Sequence, residues 1–122
     1  MLPTLISGEA AVNFRFEDSS AKAGLTFRLQ NGQTGQRHQI ETMVGGLAAL
    51  DYDRDGRIDL FFVNGAPIPS LQKAPGFENR LYHNEGQGRF TTVTAGPVAE
   101  DHGVSMGPAW GDFDNDGHLD LF

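Results

Sequence analysis

The stretch "DYDRDGRID", residues 51–59, carries aspartate at its first, third, fifth and ninth positions and glycine at its sixth. Sixty-one residues later "DFDNDGHLD", residues 112–120, repeats the same pattern. Carboxylates at alternating positions of a tight loop point into one concavity. Glycine at the sixth position turns the chain sharply, because it takes positive φ without a steric penalty. The carbonyl of the seventh position then faces inward, and the last aspartate closes the shell. Six or seven oxygens suit a hard cation, calcium above all. Without a cation, two carboxylates about 5 Å apart repel by roughly 3 kcal/mol at an effective dielectric near 20. The spacing therefore predicts two Ca²⁺ sites. Asp51, Asp53, Asp55, the carbonyl of Arg57 and Asp59 form one; Asp112, Asp114, Asp116, the carbonyl of His118 and Asp120 form the other.

Simpler readings account for less. An Asp-Gly-rich stretch is often only a polar turn, but that does not explain two loops with identical spacing. An EF-hand needs a glutamate at the twelfth position and flanking helices. Counting from Asp51, that position is Phe62, inside an apolar β run. Dockerin-type loops fail likewise, since they lead into a helix. The first loop also carries Arg54 and Arg57, where the second has Asn115 and His118. Charge alone therefore favours cation binding at the second loop, an advantage expected only in a chain extended past Phe122, because fraying of the short strand after that loop would cancel it.

The chain has 122 residues and a formal charge of −7, with eight of its 16 acidic residues in the two nine-residue loops. The acidity is local and marks sites. A nucleic-acid partner is not expected, because no basic patch is visible. With no cysteine, disulfides and thiolate zinc sites are excluded. No apolar run approaches 18 residues, so no membrane span is expected. The opening "MLPTLISGEAAVNF" does not read as a signal peptide.

The repeat extends beyond the loops. "GLAALDYDRDGRIDLF" (46–61) and "GPAWGDFDNDGHLDLF" (107–122) share nine of sixteen positions. A weaker echo of letters links residues 14–25 to 89–98. Between the loops the pattern is β, with strands expected at 46–50, 58–63, 80–83 and 89–94 and a hairpin turn at "EGQG". Residues 67–79, with three prolines, read as an ordered loop, and 30–46 as a glycine-rich loop. "SSAKAGL" (19–25) allows one helical turn at most. Four short strands per repeat of about 60 residues point to an all-β fold built of β-propeller blades. The expected division is 1–45 as N-terminal strand or strands and loop, 46–106 as the first blade, and 107–122 as the start of a second. Together these give about one and a half four-stranded antiparallel blades of an incomplete propeller.

D-x-D-x-D-G-x-x-D before a short strand resembles the calcium loop of FG-GAP/VCBS repeats, the blades of integrin-α-type β-propellers. "FFVNGAP" (61–67) resembles the strand ending in Gly-Ala-Pro that helps name that repeat. "ENRLYHNEGQGRFTTVT" (78–94) resembles the hairpin of the bacterial group related to cartilage acidic protein, whose ASPIC/UnbV module is not in this chain. The resemblance implies an extracellular or periplasmic binding or adhesion scaffold, with structural calcium and an unidentified protein or carbohydrate ligand. Open blade edges allow self-association. The alternative is a non-catalytic part of a larger secreted hydrolase or lyase whose active site lies elsewhere.

No catalytic or cofactor-binding residues are expected. His38, His83, His102 and His118 show no metal-ligand spacing, and "GVSMG" (103–107) lacks the strand and helix that a nucleophile elbow needs. Trp110 and Phe113 are expected to pack within a blade.

Overall fold

The structure, a computed structural model, describes residues 14–72, 74–96, 98 and 105–122. It is all-β, with antiparallel sheets and little helix. Strands β1 (Gly46–Leu50), β2 (Asp59–Val63), β3 (Arg80–Gly86) and β4 (Arg89–Val93) form a four-stranded meander in sequence order. Strands β5 (Trp110–Gly111) and β6 (Asp120–Leu121) form a separate hairpin. The four strands expected between residues 46 and 94 are all present, with ends displaced by at most a few residues. The largest difference is in β3, which continues to Gly86. Its hairpin closes through Gln87 (φ 53°) and Gly88 (φ 70°), both left-handed, so the turn twists in the sense that antiparallel strands favour.

The four-stranded sheet is covered on both faces, which is why β2 reads as an almost unbroken apolar run. On one face Ala48, Leu50, Phe61, Val63 and Leu81 form the core, with Val93, Val98 and Leu121 packed against it. Leu121 belongs to β6, so the second hairpin helps to cover the first sheet. On the other face Phe27 stacks on Phe62 at 4.8 Å, and Phe62 meets Tyr82 edge-on at 5.7 Å. The buried Tyr82 hydroxyl accepts the Thr26 N–H at 3.2 Å.

The segment before the sheet is fastened to the end of β2. Asn64 Oδ1 accepts the Gln30 N–H at 2.6 Å, and the Gly65 N–H donates to the Gln30 carbonyl at 3.1 Å. A Cβ on Gly65 would lie 2.5 Å from that carbonyl oxygen, so only glycine permits the crossing. The letters "NGAP" thus mark a close approach between chain segments.

Residues 14–45 contain one helical turn, α1 (Ser20–Ala23), and one 3₁₀ turn, Gln39–Thr42. Among the described residues of that stretch there is no strand, and residues 1–13 lie outside the described residues. The echo between 14–25 and 89–98 is one of letters only, since the former holds α1 and the latter holds β4. The 30–46 loop is organised by Glu41, which is 7% exposed. Its Oε1 accepts the Thr34 hydroxyl at 3.0 Å and the His38 N–H at 3.2 Å. Trp110 and Phe113, expected to pack within a blade, are 48% and 80% exposed here, and among the described residues the ring of Phe113 meets that of Phe122 edge-on.

Burial pushes the Glu41 carboxyl up, but the hydrogen bonds from Thr34 and His38 outweigh it and hold the pKa below its ordinary value. A depressed pKa contributes stability above the ordinary glutamate range and loses it as pH falls through the folded value. Glu41→Gln is therefore expected to lower the melting temperature at pH 7, with the gap to wild type closing below about pH 4. Thermal melts at both pH values check this, and a gap that persists in acid would contradict the role of the charge.

Candidate metal centre

The two aspartate loops join β1 to β2 and β5 to β6. Leu50 pairs with Asp59 and Gly111 pairs with Asp120, so each loop is closed by the same register, one repeat apart. Five hydrogen bonds from loop backbone to carboxylate shape the first loop. Asp51 accepts from the N–H groups of Asp55 (3.0 Å) and Gly56 (2.9 Å). Asp53 accepts from Asp55 (3.2 Å), Asp55 from Arg57 (2.8 Å) and Asp59 from Tyr52 (3.0 Å). The second loop repeats all five. Asp112 accepts from Asp116 (3.0 Å) and Gly117 (3.0 Å), Asp114 from Asp116 (3.2 Å), Asp116 from His118 (2.7 Å) and Asp120 from Phe113 (2.9 Å).

Backbone conformation repeats with them. The sixth-position glycines sit at φ 84° (Gly56) and 83° (Gly117), as their spacing predicts. The fourth position is also left-handed, at Arg54 (φ 64°) and Asn115 (φ 58°). Asparagine tolerates that region better than arginine does. Asp51, Asp53 and Asp55 bring one oxygen each within 4.8 Å of one another, as do Asp112, Asp114 and Asp120.

A family profile for the FG-GAP-like repeat matches residues 51–122, from the first aspartate of one loop through the whole of the other. The chain belongs to the FG-GAP-like repeat family. No curated protein and no solved structure matches it.

Within this FG-GAP-like repeat the first loop has neighbours that its spacing does not reveal. Asp59 is fully buried. Besides the Tyr52 N–H, it accepts the Asn84 N–H from β3 at 2.7 Å. The Asn84 side chain in turn donates to the Ile58 carbonyl at 2.9 Å. Partial burial, then the carboxylates of Asp53, Asp59, Asp55 and Glu85, push the Tyr52 phenol above its ordinary pKa.

His83, also on β3, is brought to the same cluster. Its Nδ1 lies 3.3 Å from Asp59 Oδ1 and 3.4 Å from Asp53 Oδ2. Asp53, Asp59 and His83 therefore form a third group with donor atoms within 4.8 Å. The spacing argument missed His83, because the hairpin brings it to the loop from 24 residues beyond Asp59.

The arginines do not simply add positive charge to the first loop. Arg57 Nη2 pairs with Asp55, and its Nε donates to the Asn84 carbonyl at 2.6 Å. Arg54 Nη2 reaches across to donate to the Gly117 carbonyl of the second loop. One of the two cationic groups assigned to the first loop thus faces the second. That removes much of the charge asymmetry that favoured cation binding at the second loop.

Neither Gly56 nor Gly117 has an atom within 4 Å of where a Cβ would stand, so backbone conformation alone forbids a side chain there. Gly56→Ala and Gly117→Ala are each expected to cost about 1–2 kcal/mol of stability. Gly107→Ala, equally uncrowded but at ordinary φ, is the control and should change little. Urea titration of the three variants distinguishes a conformational requirement from a general intolerance of added bulk.

Proposed function

We propose that this chain is a calcium-binding segment of a β-propeller that serves as a binding or adhesion scaffold outside the cell, with two Ca²⁺ ions bracing its blade loops. The observation that carries the reading is the fivefold match of hydrogen bonds between the two loops. In each, backbone N–H groups fix one side of the carboxylates and leave further lone pairs for a cation. The donor set is all oxygen, or nearly so, which fits a hard dication. Asp51, Asp53, Asp55, the Arg57 carbonyl and Asp59 are assigned to the first ion. Asp112, Asp114, Asp116, the His118 carbonyl and Asp120 are assigned to the second. On this reading 46–106 is one blade, and 107–122 begins the next.

Bound calcium supplies positive charge where carboxylates converge. The chain's own residues do the rest: the loop N–H groups orient the carboxylates, and β1–β2 and β5–β6 hold the loop ends together. Two ions would take the formal charge from −7 to −3. FG-GAP-like repeats stand typically in extracellular proteins, where calcium near millimolar fills weak sites. That supports the placement outside the cell. No helix among the described residues is long and apolar enough to cross a membrane. The ligand bound by such a scaffold is expected to be a protein or a carbohydrate.

A ligand that binds only the folded state stabilises it by about 2.7 kcal/mol at a hundredfold excess over its Kd. Melting temperature is therefore expected to rise clearly from EDTA to millimolar CaCl₂. Calorimetry should count two Ca²⁺ per chain, and one in each of Asp53→Ala and Asp114→Ala. Equal melting temperatures with and without calcium, or no calcium uptake, would overturn the reading.

A further inference from the structure

The geometry points to His83 as a nitrogen ligand in the first loop, making that site a binding site for a first-row transition-metal dication. The inference rests on the reading of the aspartate loops as cation sites and adds a distinct chemistry to one of them.

His83 Nδ1 is buried and has no hydrogen-bond partner. A buried nitrogen left unpaired costs free energy unless something satisfies it. The nearest oxygens are those of Asp59 at 3.3 Å and Asp53 at 3.4 Å. Both distances exceed the roughly 2.7–2.9 Å of a charge-assisted N–H to carboxylate bond. They fit donors converging on a shared cation, because ligands about 2.1 Å from a metal and at right angles to one another stand about 3 Å apart. Asp59 Oδ1 already accepts the Asn84 N–H, and a carboxylate oxygen keeps a second lone pair for a metal.

The ring is held for this role. Tyr52 meets it edge-on, with centroids 6.0 Å apart. Across the hairpin His83 pairs with Thr91. The imidazole Nε2 lies 3.8 Å from Asp55 Oδ2, so both ring nitrogens stand among the carboxylates of the first loop.

The second loop offers no such nitrogen among the described residues: its convergent group is Asp112, Asp114 and Asp120. Imidazole favours cobalt, nickel and zinc, whereas carboxylates and carbonyls suit calcium and magnesium. The first loop, with His83 beside it, therefore accepts a borderline cation as well as a hard one.

The test uses the full chain and His83→Gln, titrated with CoCl₂ and separately with CaCl₂ by calorimetry. Wild type is expected to bind one Co²⁺ at least about tenfold more tightly than His83→Gln does. Calcium affinities at the two loops should change less than about threefold. One equivalent of Zn²⁺ should shift the ¹⁵N resonance of His83 Nδ1 in the wild-type protein and leave His38 and His118 unmoved. This readout does not depend on the variant folding. Equal Co²⁺ affinity in the two proteins, or a zinc-induced shift at another histidine with none at His83, would overturn the inference. Failure of calcium to bind either loop, with Co²⁺ binding still dependent on His83, would overturn the calcium reading and leave this one standing.

Discussion

The carboxylate of Asp59 is the constraint on which the rest of the first repeat depends. It stands at the start of β2 with no solvent exposure, on the same face as Phe61 and Val63. A buried carboxylate is costly unless hydrogen-bonded and paired. Here one oxygen accepts from Tyr52 at the head of the loop and the other from Asn84 on β3. A single side chain thus joins loop, strand and hairpin. Its register partner is Leu50, the last residue of β1, so closing the loop and starting the sheet are one event. The second repeat preserves the first half of this arrangement. Asp120 pairs with Gly111 and accepts from Phe113, but it is only partly buried.

The repeat was legible because its determinants are local. A loop of D-x-D-x-D-G-x-x-D needs no distant partner to reveal its turn, and the glycines at positions 56 and 117 are left-handed as their spacing demands. The strands were legible for a similar reason: short apolar runs between turn residues leave few other options. The all-β fold followed from the sequence, and the family match agrees with the resemblance as far as the FG-GAP-like repeat.

What the sequence hid depends on contacts between distant segments. Asn64-Gly65 looks like a turn, yet its glycine admits the Gln30 carbonyl. His83 had no neighbour in sequence to mark it, although its place four residues into the strand after "FEN" brings it over the aspartates once β2 and β3 pair. Trp110 and Phe113 followed the opposite course. Their aromatic character suggested burial, but among the described residues nothing covers them as the first sheet's neighbours cover its core.

The arginines show why hydrogen bonding alone does not balance the loops electrostatically. Arg57 touches Asp55 and Asn84, and Arg54 spans to the second loop, so both provide some countercharge. Exposed ion pairs of this kind contribute about 0–1 kcal/mol. The repulsion among several carboxylates confined to one loop is larger, at roughly 3 kcal/mol for each close pair. A dication at the centre acts on all of them at once. Arg57 Nη2 pairs with Asp55 Oδ2, so on the proposed reading its guanidinium shares that carboxylate with the ion, while its backbone carbonyl is itself a ligand. The same residue would thus oppose the cation with its side chain and hold it with its main chain. In the second loop His118 stands at that position, and its backbone N–H donates to Asp116 as that of Arg57 does to Asp55.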